Sequence, residues 1–245
     1  MTSDTTRTGP GPATGSLARL VSGARFVLWD FDGPICRLFA GHRAEAVAAD
    51  LVDWLESRGL RGLLSEEERK SPDPHVVLRA VDRRHPHSDL VEELEERLTQ
   101  EELRATASAM PTAYADPLIR TWTAVGVRLA VATNNSPRVV RAYLEGRGLL
   151  PGFAPHIYGR TRELRRLKPD PYTVVRALNA MGATPSDALF IGDSPSDCEA
   201  ARHAGVPFLG YGRDDRKSKI LADAGADTVV GSLEPMLRLL RGQDR

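Results

Sequence analysis

Asp30 and Asp32 stand one residue apart at the end of the apolar run "FVLWD", and a second acidic pair, Asp193 and Asp197, sits in "GDSPSD". Between them in the chain lie Thr133-Asn134-Asn135 and a lysine, Lys168, within "LKPDP". Carboxylates this close repel each other, so a strand end that carries two of them needs a positive partner. Hard carboxylate oxygens suit a divalent ion such as Mg²⁺, above all where a phosphate is held beside it. Lys168 adds a compact point charge. Taken singly, each stretch has an ordinary reading: a surface acidic pair, a helix N-cap, a loop, a helix start. Together and in this order they describe a site for phosphoryl chemistry.

Such a site needs strands that deliver these residues to one edge. Six apolar runs read as buried strands: "FVLWD" (26–30), "VRLAVAT" (127–133), "HIYG" (156–159), "ALFIGD" (188–193), "PFLGYG" (207–212) and "DTVVG" (227–231). Helical patterns such as "RVVRAYLEGRG", "PYTVVRALNAMG" and "CEAARHAG" separate the later runs. That alternation predicts an α/β fold, a Rossmann-like parallel sheet flanked by helices. Ligands of open α/β sheets bind outside the carboxyl ends of the strands. Asp30, Asp32, Thr133, Asn134 and Asp193 all fall at such ends.

Residues 38–118 differ. They hold no convincing strand and read as helices over 43–59, 75–84, 88–100 and 101–110. Ala44, Val47, Ala48, Leu51 and Leu55 share one helical face. The expectation is a helical cap domain over 38–118, set on a core formed by 21–37 and 119–245. Residues 1–20, rich in Thr, Gly, Pro and Ser, read as a flexible tail.

Composition narrows the classes. The chain has 245 residues, 41% of them hydrophobic, with 33 basic and 33 acidic side chains. Balanced charge gives no support to a nucleic-acid partner. No apolar run approaches the ~18 residues of a membrane span. The two cysteines make no disulfide framework, and no signal peptide is evident, so a cytoplasmic setting is expected. Nothing in the sequence speaks to oligomeric state.

The four stretches "DFDG", "ATNNS", "LKPDP" and "GDSPSDCEAA" resemble, in order and spacing, the motifs of the haloacid dehalogenase superfamily. The likeness covers about residues 25–235 and includes a helical cap inserted after the first motif. It implies that Asp30 is a nucleophile that takes up the phosphoryl group as an aspartyl-phosphate. Asp32 would be the general acid and then base. Mg²⁺ would be held by the Asp30 carboxylate, the Asp32 backbone carbonyl and the Asp193 carboxylate. Thr133 and the Asn134 amide would bind phosphate, Lys168 would support both nucleophile and phosphate, and Asp197 would orient the metal's water or Lys168. The implied activity is a phosphatase acting on a small phosphorylated metabolite. Dehalogenases of the superfamily lack the second aspartate, and a phosphonate-cleaving enzyme needs a cap lysine, for which 38–118 offers only Lys70. A sugar-phosphate mutase of the same fold and a non-catalytic regulatory or binding protein are the alternatives. Pro34 departs from the family pattern, and is expected to stiffen the way into the cap.

Other signals are weaker. Cys36 and Cys198 read as small buried thiols. The basic run "GRTRELRRLK" and the acidic run "VEELEERLTQEELR" both read as solvated faces. Arg37, His42 and Arg43, at the start of the cap, are candidates for contact with the leaving group.

Overall fold

The computed structural model describes residues 12–242. A helix, α1 (Pro12–Gly23), precedes the first core strand, β1 (Phe26–Trp29). A short strand, β2 (Cys36–Arg37), leads into helices α2 (Ala44–Ser57), α3 (Glu66–Arg69), α4 (Pro74–Arg84) and α5 (Asp89–Thr106). The chain returns through β3 (Met110–Pro111), which pairs antiparallel with β2 and forms a two-stranded neck. Beyond the neck come α6 (Ala115–Ala124), β4 (Arg128–Ala132), α7 (Pro137–Gly146), α8 (Leu150–Phe153) and β5 (Ile157–Tyr158). The last third holds α9 (Tyr172–Met181), β6 (Ala188–Gly192), α10 (Pro195–Ala204) and β7 (Phe208–Tyr211). It closes with α11 (Asp215–Asp223), β8 (Val229–Val230) and α12 (Glu234–Leu240).

The strands form one parallel sheet in the order β5-β4-β1-β6-β7-β8. All six apolar runs expected to be strands are there. The chain builds outward from β1 through β4 and β5, then crosses to the other side of β1 for β6 to β8. The crossover lies between β1 and β6, where an α/β sheet opens its ligand crevice. Trp29 lies level with Val131 and Ile191, so the residues after β1, β4 and β6 leave the sheet at the same edge.

The central strands β1, β4 and β6 bury both faces, as helices on both sides require. Val27, Trp29, Leu129, Val131 and Ile191 pack on one side, and Leu28, Ala130, Ala132 and Phe190 on the other. Trp29 meets Trp122 of α6 edge-on at 5.8 Å, a favoured aromatic geometry. The cap has its own core, in which Val47, Leu51 and Leu55 of α2 meet Val77, Leu78 and Val81 of α4 and Leu94 and Leu98 of α5.

Four expectations change. Residues 1–11 of the expected tail lie outside the described residues, but 12–20 belong to α1. Leu17 and Val21, one turn apart, are buried in the core, and Ser16 meets Thr228 at 3.0 Å. The two helices expected over 88–100 and 101–110 are one, α5. Leu94, Leu98, Glu102 and Ala105 fall on a single buried face, so nothing breaks the helix at residue 100. Within 38–118 there is one strand, β3. Finally, Ala115 and Leu118, expected in the cap, belong to the sheet's core, which moves the cap's end back toward the neck.

Candidate active site

Parallel strand ends bring the motif residues together around a cavity of about 540 Å³ between core and cap. Asp30 follows β1 directly, and its N–H donates to Ile191 O of β6 at 2.8 Å. Its Oδ1 accepts from the Phe31 N–H at 2.8 Å and pairs with Lys168 Nζ at 2.8 Å. Asp32 turns with the chain, and its Oδ1 takes the Leu38 N–H at 2.8 Å. That bond ties the carboxyl to the first residues of the cap. Gly33 then adopts φ +117°, and a Cβ there would strike the Asp193 carboxylate. The site therefore requires glycine at this position.

Lys168 is almost completely buried. Its Nζ also reaches Asp197 Oδ1 at 2.5 Å and donates to Ala132 O at 3.0 Å. Asp197 Oδ2 accepts from the N–H groups of Asp193 and Ser194, each at 3.1 Å, and from Ser194 Oγ at 2.7 Å. Asp197 thus caps α10 and fixes Lys168, both from full burial. The Asn134 side chain grips the Lys168 backbone, accepting its N–H at 2.7 Å and donating to its carbonyl at 3.2 Å. Thr133 Oγ1 donates to Asn135 Oδ1 at 3.1 Å and accepts the Asn135 N–H at 3.2 Å. Asp193 pairs through Oδ2 with Lys217 Nζ at 2.6 Å.

Crowded, buried acids resist ionising. Burial and then the Asp197 charge raise the Asp30 pKa, more than Lys168 lowers it. Burial pushes Asp32 up to about 6 and raises Asp193 against the pull of Lys217. Burial opposes the Lys168 ammonium, yet Asp197 and Asp30 hold its pKa above the usual lysine value. Carboxylate oxygens of Asp30, Asp193 and Asp197 lie within 4.8 Å of one another. A hard divalent cation fits this donor set and would lower the cost of charging it. Asp197 is already engaged through both oxygens, which leaves Asp30 and Asp193 as the carboxylates able to hold it.

The cap adds residues that sequence reasoning missed. Glu102 of α5 is fully buried and pairs with Arg160 Nη1 at 2.9 Å, with Arg160 Nη2 donating to its other oxygen at 3.1 Å. The same carboxylate accepts from Asn135 Nδ2 at 2.9 Å and the Ser136 N–H at 3.1 Å. His75 of α4 lines the cavity, with Nδ1 at 3.2 Å from Asp73 and Nε2 at 3.1 Å from Asn134 O. Arg160 and Glu102 are therefore not parts of solvated faces. Their runs look like surface charge because the partners lie 58 residues apart. The only advance signal is that Glu102 continues the apolar face of Leu94 and Leu98.

Other expectations are resolved as follows. Arg37 donates to Met110 Sδ, His42 pairs with Glu101, and Arg43 lies near Glu45. The cap wall of the cavity is built instead by Phe39, Ala44, Glu45, Asp73, His75 and Arg79. Lys70 pairs with Glu66 on the surface and stays away from the cavity, which removes the lysine a phosphonate-cleaving enzyme would need. Cys36 and Cys198 are buried free thiols, and burial raises the pKa of each. No described helix is long and apolar enough to cross a membrane.

Comparison with known proteins agrees with this fold. Relatives named phosphoglycolate phosphatase match the chain. That of Rhodospirillum rubrum is 40% identical over 114 residues, 45% of this chain and 46% of its own. That of Pseudomonas savastanoi pv. phaseolicola is 30% identical over 218 residues, 87% of this chain and 78% of its own. The chain spans about half the length of the Rhodospirillum relative and of another from Thiobacillus denitrificans. Among solved structures, a predicted phosphoglycolate phosphatase from Haemophilus somnus superposes with TM-score 0.64 at 17% identity, covering 90% of this chain and 98% of its own. A CbbY mutant from Rhodobacter sphaeroides, solved with xylulose-(1,5)bisphosphate, gives 0.62 at 21% identity, covering 85% and 94%. These structures share the fold. A family model described as haloacid dehalogenase-like hydrolase matches residues 24–205, and the chain belongs to that family.

Proposed function

We propose that this protein is a Mg²⁺-dependent phosphatase that hydrolyses a small phosphorylated metabolite through an aspartyl-phosphate on Asp30. The observation that carries the reading is the convergence of Asp30, Asp32, Thr133, Lys168 and Asp193 on one cavity. Asp30 Oδ1 is occupied by Lys168 and the Phe31 N–H, which leaves Oδ2 to attack phosphorus. Asp32, raised to about 6, is well matched to protonate the leaving oxygen near neutral pH and then to take a proton from water. Thr133 and the Asn134 backbone amide bind the phosphoryl oxygens, while the Asn134 side chain holds Lys168 in place. Asp197 is the residue that orients Lys168.

Asp30 and Asp193, with the Asp32 backbone carbonyl, would hold Mg²⁺, which supplies charge neutralisation for the phosphoryl oxygens. The names of the matched relatives make phosphoglycolate the first substrate to try. Two free buried thiols support a reducing, cytoplasmic setting.

The test is phosphate release from an aryl phosphate and from a panel of phosphate esters, with Mg²⁺, by wild type and Asp30→Asn. Mg²⁺-dependent turnover that Asp30→Asn abolishes is expected. Absence of turnover on every ester would favour a binding protein, and undiminished activity of Asp30→Asn would remove the nucleophile assignment.

A further inference from the structure

Two ammonium groups reach the acid cluster. Lys168 belongs to the "LKPDP" stretch, but Lys217, in the first turn of α11, belongs to no motif and reads in sequence as one charge of "RDDRKSK". It lines the cavity, and its Nζ donates to Asp193 Oδ2 at 2.6 Å and to Asp193 O at 3.2 Å. Asp214 anchors the lysine backbone by accepting the Lys217 N–H at 2.8 Å.

Exposed ion pairs are commonly loose. This pair is held more firmly, because the Asp193 side chain is only 13% exposed and the lysine grips the residue at two points. The Asp193 N–H is bonded in turn to Asp197 Oδ2 at 3.1 Å, and the carboxyl lies against Gly33, where a Cβ would strike it. Backbone, packing and Lys217 together fix the carboxyl. Oδ2 is committed, and Oδ1 has no hydrogen-bond partner among the described residues.

That division bears on which ion fits. Mg²⁺ demands a compact octahedron, which has little place for a carboxylate bound through both oxygens. Ca²⁺ takes more oxygens in a flexible shell and accepts such a carboxylate readily. We propose that Lys217 makes Asp193 a one-oxygen ligand and thereby biases the site toward Mg²⁺ over Ca²⁺. This rests on the Mg²⁺ site of the phosphatase reading above and adds the residue that selects the ion. Lys217 is a positioning residue, acting through Asp193.

The test is isothermal titration calorimetry of the full chain with Mg²⁺ and with Ca²⁺, for wild type, Lys217→Met and Lys217→Arg. The Lys217 side chain is 31% exposed, so both variants should fold. Removing an ammonium relieves the repulsion of either divalent ion nearly alike, so charge alone cancels from the ratio of the Ca²⁺ Kd to the Mg²⁺ Kd. Lys217→Met should lower that ratio about tenfold, the scale on which a ligand's outer partner acts. Lys217→Arg keeps a charged donor on the carboxylate and should keep the wild-type ratio. In an Asp193→Asn background the effect of Lys217→Met on the ratio should vanish. An unchanged ratio in Lys217→Met, or an equal fall in Lys217→Arg, would overturn the selecting role while leaving the phosphatase intact. A wild type that binds neither ion would remove the Mg²⁺ site and this proposal with it.

Discussion

Glu102 on the cap helix α5 and Asn135 in the loop after β4 meet at 2.9 Å, with both side chains buried. The same loop begins with Thr133 and Asn134, so the cap grips the segment proposed to bind phosphate. Glu102 also neutralises the buried Arg160 guanidinium. Glu102→Ala leaves that guanidinium with Glu95 as its one carboxylate partner and takes the acceptor from Asn135 Nδ2, which should cost about 3 kcal/mol of stability. Chemical denaturation would read the loss, and kcat should fall with it. An unchanged midpoint would mean that the network is not formed in solution.

The same cluster sets a pH dependence. Burial opposes the Glu102 carboxylate, yet Arg160 and His75 hold its pKa down to about 2, against an ordinary 4.5. Its contribution is complete above pH 4.5 and is lost as pH falls toward 2. Burial likewise opposes the His75 imidazolium, yet Asp73 and Glu102 raise it to about 9 from 6.5. That contribution is complete below pH 6.5 and is lost as pH rises through 9. Melting temperatures of wild type and His75→Asn should differ most at pH 6 and converge on the alkaline side. A difference that stays constant up to pH 10 would contradict the charged histidine.

Gly33→Ala should be severe although it adds one methyl group. The backbone there has φ +117° and the new Cβ would meet the Asp193 carboxyl. Strain of about 1–3 kcal/mol at such a position is expected, with activity lost beyond what stability explains. Wild-type kinetics from a folded Gly33→Ala protein would show that the turn has room to adjust.

Removal of divalent ions should stop phosphate release, and added Mg²⁺ should restore it. A ligand bound only by the folded state stabilises by about 2.7 kcal/mol at a hundred times its Kd. Mg²⁺ should therefore raise the melting temperature of wild type and do so much less for Asp193→Asn. An equal rise in both would place the ion elsewhere.

What could be read in the sequence follows from range. β1, β4 and β6 are local apolar runs, and their polar ends carry the motif residues, so the sheet and the edge that gathers these residues were legible. Glu102 and Arg160 were not, since a charge acquires burial only from a partner remote in sequence. The helix Pro12–Gly23 was hidden for a related reason. Its surroundings are rich in Thr, Gly and Pro, and its few apolar residues matter only because the core, with α12 among its neighbours, receives Leu17 and Val21.

The most direct test of the account is to look for the phosphoryl group on Asp30. Asp32→Asn should slow the step in which water is deprotonated by roughly 10²–10⁴-fold, while an aryl leaving group needs little protonation. Acid-quenched Asp32→Asn, mixed with an aryl phosphate and Mg²⁺, should yield a phosphorylated peptide containing Asp30 when digested and weighed by mass spectrometry. Release of phosphate with that peptide unmodified, or with the phosphoryl group on another residue, would contradict the account.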